Sequence, residues 1–144
     1  IAQVKYLGDL LAEGGVPYVT PAGGHAIFID AAAFLPHIPQ SAYPADVLGI
    51  EIYREGAIRG IGLGALAFAT EDEKTGKIIY PKLELYRLAI NRRTYTNSHM
   101  EFIAQSIIDV YKRRESIRYG LRETYVPPVK GIKHFLAHLE PYSL

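Results

Sequence analysis

Three stretches of the chain carry apolar residues at the spacing of an amphipathic α-helix. The first covers residues 1–11. Its pattern is already in progress at the first residue, so we expect a piece of a longer protein that starts inside a helix. The second covers residues 44–56. The third begins at Ser98, which has Glu101 at capping-box spacing, and reaches the basic residues 112–114.

Shorter apolar runs between these helices predict β-strands. We expect strands over residues 16–20, 25–29, 58–68, 83–90, 121–126 and 132–139. Asp30 is placed to cap a short helix over residues 31–35. Because strands and helices are mixed without regular alternation, the pattern predicts one α+β domain over residues 1–144, built as a sheet with helices on one face.

Glycine occupies every second position at Gly60, Gly62 and Gly64, so one face of the strand predicted there is bare backbone. A bare strand face indicates that another group packs or binds close to it. The spacing is not a dinucleotide-binding fingerprint, because it lacks the strand, turn and helix arrangement that the fingerprint requires. We therefore expect no nucleotide at this segment.

Composition and charge narrow the classes of function. The 144 residues carry a net charge of +1, from 16 basic and 15 acidic residues, which gives no reason to expect nucleic acid or an acidic membrane as a partner. No cysteine is present, so disulfides and cysteine-bound metals are excluded, and the five histidines are too scattered for a metal site. No apolar run reaches the roughly 20 residues that span a bilayer, and we expect a soluble cytoplasmic protein.

Two places in the chain carry candidate binding chemistry. Arg87 lies in the middle of the strand predicted over residues 83–90, where an unpaired guanidinium would be costly. Either it binds a ligand carboxylate through two parallel hydrogen bonds, or it forms a structural ion pair or lies on an exposed strand face. His134, beside Phe135, either lines a pocket or is an ordinary packing or surface histidine. The residues alone leave both questions open.

Short motifs follow one another along nearly the whole chain: PAGGHAIFID at 21–30, LPHIP at 35–39, KTGK at 74–77, RLAINR at 87–92, TYT at 94–96 and HM at 99–100. In order and spacing they resemble the tryptophanase and tyrosine phenol-lyase family of β-eliminating lyases. The resemblance covers the C-terminal portion of a considerably longer polypeptide. Two departures are Asn91, where the family usually has proline, and the unusually small side chains of residues 60–64.

The resemblance implies the C-terminal small domain of a pyridoxal-phosphate enzyme with the aspartate-aminotransferase (type I) fold, active as a tetramer with sites at dimer interfaces. The imine-forming lysine, the phosphate-binding residues and any site for potassium or another monovalent cation then lie upstream. None of the lysines in this chain matches the imine-forming one. We therefore expect no catalytic residue and no metal ligand here, and a chain that is inactive without its large-domain partner.

The resemblance also assigns the site residues of this chain. The position of Arg87 belongs to the arginine that binds the α-carboxylate of the amino-acid substrate. Leu63 stands where tyrosine phenol-lyases have an arginine that recognises the phenol ring, and leucine cannot supply that donor. His134 and Phe135 match a histidine and phenylalanine of tryptophanases, where tyrosine phenol-lyases have two phenylalanines.

These positions favour a tryptophanase, which converts L-tryptophan and water into indole, pyruvate and ammonia. The alternatives from the same fold are tyrosine phenol-lyase and another pyridoxal-phosphate enzyme such as threonine aldolase. A non-catalytic interaction domain that keeps the small-domain fold is the alternative from a different class.

Overall fold

The computed structural model describes residues 1–91, 93–129 and 133–144. In this part of the chain the helices are α1 (Ala2–Glu13), α2 (Ala31–Phe34), α3 (Pro44–Gly56), α4 (Ala65–Phe68), α5 (Asn97–Lys112) and α6 (Lys133–Leu136). The strands are β1 (Ala26–Asp30), β2 (Ile61–Leu63), β3 (Thr70–Glu71), β4 (Ile78–Ile79), β5 (Leu85–Ala89), β6 (Tyr119–Tyr125) and β7 (His138–Ser143). Short 3-10 turns lie at Gln40–Ala42 and Arg114–Ser116.

The central element is an antiparallel sheet in the order β1-β5-β2. Ile27 of β1 lies opposite Leu88 of β5, and Ile29 lies opposite Tyr86, so these four side chains share one face of the sheet. All four are buried in the main core. Arg87 alternates with its neighbours along β5 and therefore lies on the opposite face.

The long helices pack together to build the core. α1 contacts β1, α3 contacts β2 and β5, and α5 contacts both α1 and α3. Their apolar faces supply many of the largest fully buried side chains, among them Leu7, Leu11, Leu48, Ile52, Met100 and Ile107. The predicted α+β class is confirmed. Within the described residues, no helix is both long enough and apolar enough to cross a membrane.

The strand predicted over residues 58–68 is wrong beyond Leu63. β2 ends there, and Ala65 begins the short helix α4. The buried carboxylate of Glu84 accepts a hydrogen bond from the N–H of Ala65 and another, at 3.3 Å, from the N–H of Ala45 in the first turn of α3. The Glu84 side chain thus accepts hydrogen bonds from free N–H groups at the N-termini of two helices. A contact between residues so far apart in the chain cannot be predicted from a local sequence pattern.

Two other predicted strands differ from the structure. The run at residues 16–20 makes a single β-bridge rather than a strand. The strand predicted over residues 132–139 begins at a residue outside the described ranges. Lys130 and Arg92, the last residue of the RLAINR motif, also lie outside them. Residues 133–136 of the predicted strand form α6, and β7 begins at His138 and pairs with β6 up to Ser143. Short apolar runs fit a helical turn as well as a strand, which is why the pattern misplaced this boundary.

The predicted N-terminal cap is confirmed for α2, whereas the cap of α5 lies two residues before the predicted one. Asp30 caps α2 as predicted, because its carboxylate accepts a hydrogen bond at 3.0 Å from the N–H of Ala33. In α5 the cap is Thr96 instead of Ser98. The N–H of His99 donates to the Thr96 hydroxyl at 3.4 Å, and His99 Nδ1 accepts from the Thr96 N–H at 3.0 Å. Histidine here takes the part that Glu101 was expected to play.

The bare face of the glycine-rich segment lies against other groups, as its spacing predicts. A Cβ on Gly60 would lie 2.6 Å from the Tyr86 ring. A Cβ on Gly64 would overlap the Glu84 carboxylate, where that carboxylate accepts its backbone hydrogen bonds. Glycine is therefore needed at these positions for close packing.

Replacing Gly64 with alanine is expected to destabilise the domain by about 2 to 4 kcal/mol, because the methyl group displaces the Glu84 carboxylate from its buried hydrogen bonds. The free energy of unfolding in urea measures this change. Gly24→Ala is the matched control, since apart from its chain neighbours no atom of the described residues lies within 4 Å of a Cβ at Gly24, and it should change that free energy by less than about 0.5 kcal/mol. Equal losses in the two variants would contradict the role given to Glu84.

Candidate functional site

Arg87 lies at the centre of the sheet, with Phe28 of β1 and Ile61 of β2 as its neighbours in the two flanking strands. Its Nε atom is buried and finds no hydrogen-bond acceptor among the described residues. No carboxylate of these residues lies within 4.0 Å of the guanidinium. The described chain thus does not form the structural ion pair that the sequence left open. A buried donor without an acceptor costs about 1 to 3 kcal/mol, which an anionic ligand would recover.

A cavity of about 490 Å³ opens beside this guanidinium. The described residues that line it come from α3, β2 and its preceding loop, β5 and α6, and they are Asp46, Arg59, Gly60, Ile61, Gly62, Arg87, Ala89, His134 and Phe135. Three of the four site residues predicted from the sequence, Arg87, His134 and Phe135, therefore meet at one cavity although they lie far apart in the chain.

His134 and Phe135 line the cavity from α6, and an ion pair joins this helix to the strand β6. Lys133 Nζ lies 2.6 Å from a carboxylate oxygen of Glu123 in β6, and the Tyr43 hydroxyl donates to the same oxygen at 2.7 Å. His134 and Phe135 follow directly, with ring centroids 4.1 Å apart. Phe135 is 66% exposed, so the described chain leaves one side of this aromatic pair open.

Leu63, the fourth predicted site residue, lies at the end of β2. It pairs with Leu85, on the same sheet face as Arg87. It is half-buried but is not among the described residues that line the cavity. The structure therefore does not bring Leu63 together with the other three residues, and its part in substrate choice stays a prediction.

Two charged residues that line the cavity, Asp46 and Arg59, were not predicted from the sequence. Asp46 lies in the first turn of α3, where burial, together with the negative charge of Glu84, raises its pKa to about 7. The glycine-rich segment carried the signal, because a Cβ on Gly62 would lie 2.7 Å from Asp46 Oδ1. Arg59 lies just before that segment and belongs to no pattern of its own.

The cavity residues fit an anionic group of a small ligand better than they fit covalent attachment of a cofactor. Arg87 and Arg59 supply guanidinium donors, whereas no lysine occurs among the described lining residues. An aldehyde cofactor would require a lysine from elsewhere. The described part of the chain also holds no group of three histidine or acidic side chains that could bind a metal ion.

An arginine whose buried Nε has no acceptor among the described residues, beside a cavity with an aromatic rim, has the chemistry that suits a small carboxylate ligand. Comparison with known proteins supplies the family. The chain belongs to the β-eliminating lyase family, whose model matches residues 1–106. The family predicted from the motifs is therefore confirmed.

Relatives of this chain carry two different names. A "probable tryptophanase" of Aeropyrum pernix is 52% identical over 141 residues, which are 98% of this chain and 30% of that protein. A tyrosine phenol-lyase of a Symbiobacterium species is 48% identical over 143 residues, 99% of this chain and 30% of that protein. A tyrosine phenol-lyase of Pasteurella multocida is 48% identical over 141 residues, 98% and 30% respectively. The chain thus spans about 30% of the length of these relatives and matches their C-terminal portion.

Proposed function

We propose that this chain is the C-terminal small domain of a pyridoxal-phosphate-dependent lyase and supplies the arginine that holds the substrate's α-carboxylate. The observation that carries the proposal is the buried Nε of Arg87, which has no acceptor among the described residues; Arg87 lines the same cavity as His134 and Phe135. Arginine suits this task because its planar fork matches a carboxylate and stays charged at any working pH.

The chain's own contribution to the reaction is positioning. When bound, pyridoxal phosphate supplies the electron sink that the chemistry at Cα requires. Arg87 fixes the carboxylate end of the amino acid and so limits its rotation, which holds the Cα–H bond in one orientation. His134 and Phe135 contact the aromatic side chain from the rim of the cavity. Proton transfer and cofactor attachment belong to groups outside this chain.

L-tryptophan is the substrate that the site residues favour. Similarity alone does not separate the two branches, because relatives of nearly equal identity carry both names. The support comes from Leu63, which cannot donate a hydrogen bond to a phenol, and from His134, which matches the histidine of tryptophanases. The complete enzyme would then convert L-tryptophan and water into indole, pyruvate and ammonia.

The remaining features of the proposal rest on family membership. They are pyridoxal phosphate held mainly by the rest of the polypeptide, a monovalent-cation site outside this chain, a tetrameric assembly and a cytoplasmic location. Tyrosine phenol-lyase and other enzymes of the same fold stay as alternatives. A non-catalytic interaction domain is the less favoured alternative, because it gives no reason for a buried arginine Nε that has no acceptor among the described residues and lies beside an open cavity.

Arg87→Ala in the complete polypeptide should weaken binding of amino-acid ligands by about 2 to 4 kcal/mol, as expected for loss of a charged hydrogen-bond partner in a desolvated site. Arg87→Lys should recover only part of this, because lysine cannot bind both carboxylate oxygens in parallel. Dissociation constants for L-phenylalanine, a ligand without a leaving group, provide the measurement. Arg118→Ala is the control and should leave the affinity for L-phenylalanine unchanged. Arg118 is exposed and is not among the described residues that line the cavity beside Arg87. Unchanged affinity in Arg87→Ala would rule out the carboxylate role.

The substrate can be tested by product analysis of the complete polypeptide supplied with pyridoxal phosphate. Incubation with L-tryptophan should release indole and pyruvate in equal amounts, and kcat/KM for L-tryptophan should exceed that for L-tyrosine. His134→Phe should shift this ratio toward L-tyrosine, because it removes the side chain that distinguishes the two branches. Release of phenol from L-tyrosine at the higher kcat/KM would assign the chain to the other branch.

A further inference from the structure

Asp46 occupies a distinctive place between two adjacent cavities. The second cavity, of about 520 Å³, shares Asp46, Arg59, Gly60 and Gly62 with the cavity beside Arg87 and continues along an apolar and aromatic wall. The described residues that form this wall include Ile50, Tyr53, Tyr86, Leu121 and Leu139. Asp46 is the one acidic residue among the described residues that line either cavity.

The absence of a side chain at Gly62 leaves the Asp46 carboxylate accessible from the cavity. A Cβ on Gly62 would lie 2.7 Å from Asp46 Oδ1, closer than real Cβ atoms approach an oxygen. The backbone of Asp46 is fixed, because it lies in the first turn of α3, where the N–H of Ala45 donates a hydrogen bond to the Glu84 carboxylate. The carboxylate therefore extends from a fixed backbone position and is accessible from the cavity.

The Asp46 carboxylate has no partner from another residue in the described part of the chain. Arg59 and Arg87 line the same cavity, but neither comes within the 4.0 Å of an ion pair. Burial and the nearby charge of Glu84 raise the pKa of Asp46 to about 7. A partly buried carboxylate that receives no hydrogen bond from another described residue, and that lies at a cavity, is a candidate for ligand contact.

We propose that Asp46 is a specificity-determining residue that accepts a hydrogen bond from the donor on the substrate's aromatic ring, the N–H of an indole or the O–H of a phenol. This inference rests on the proposed function, in which Arg87 holds the carboxylate end of the same amino acid. Pyridoxal phosphate, when bound, would take up the α-amino group, so the ring donor is the polar group of the substrate left for Asp46. The adjoining apolar wall suits the rest of the ring.

Two pairs of ligands of matched shape test this in the complete enzyme loaded with pyridoxal phosphate. L-tryptophan is compared with 3-(benzothiophen-3-yl)-L-alanine, in which sulfur replaces the ring N–H, and L-tyrosine is compared with L-phenylalanine. Dissociation constants are measured by rapid mixing, before turnover. In one of the two pairs, Asp46→Ala should raise the dissociation constant of the ligand that carries the ring donor by about tenfold or more. The dissociation constant of its donor-free analogue should change by less than about twofold, and Asp46→Asn should have an effect between those of the unaltered enzyme and Asp46→Ala.

The control is Asp9→Ala, at an exposed aspartate of α1 that pairs with Lys5, and it should change no affinity. A selective loss for L-tryptophan identifies an indole donor, and a selective loss for L-tyrosine identifies a phenol donor. Equal losses for both members of each pair, or no loss in any, would overturn the role of Asp46 while leaving that of Arg87 intact. Failure of the unaltered enzyme to bind any of the four ligands would instead overturn the proposed function and this inference with it.

Discussion

The alternation of side chains along β5 is the constraint on which the rest of the structure depends. Glu84, Tyr86, Leu88 and Ile90 are all buried on the side that faces the helices. Arg87, between them, lies on the other face and at the cavity. A shift of one residue in register would exchange the two faces, so the pairing that fills the core also fixes the position of the guanidinium. The packing of the core and the position of Arg87 at the cavity are therefore two results of one strand register.

Sequence patterns predicted those parts of the fold that have one buried face, because a hydrophobic period then has a single physical cause. α1, α3, α5, β1 and β5 belong to this group. Boundaries set by one distant contact were lost, as at Ala65, where the Glu84 carboxylate starts a helix. Arg87 was detectable because a charge inside an apolar strand is conspicuous. Asp46 was not, since an acidic residue in the first turn of a helix is ordinary.

The cavity that the described residues form is open rather than a closed pocket. Phe135 is largely exposed, and the described lining residues include no lysine. Both features agree with a chain that matches about 30% of the length of its relatives, because the rest of a polypeptide of that size has room to supply the opposite wall. In the proposed function the described residues recognise the amino acid, and bond cleavage takes place on groups outside this chain.

A crystal structure of the complete polypeptide with L-phenylalanine bound tests whether Arg87 holds the substrate's carboxylate. If it does, both carboxylate oxygens of the ligand lie about 3 Å from the Arg87 guanidinium, in parallel hydrogen bonds. The contradicting result is an acidic side chain from the remaining polypeptide paired with Arg87, and a ligand carboxylate bound elsewhere. In that case the unpartnered guanidinium would be a structural group completed by the rest of the protein.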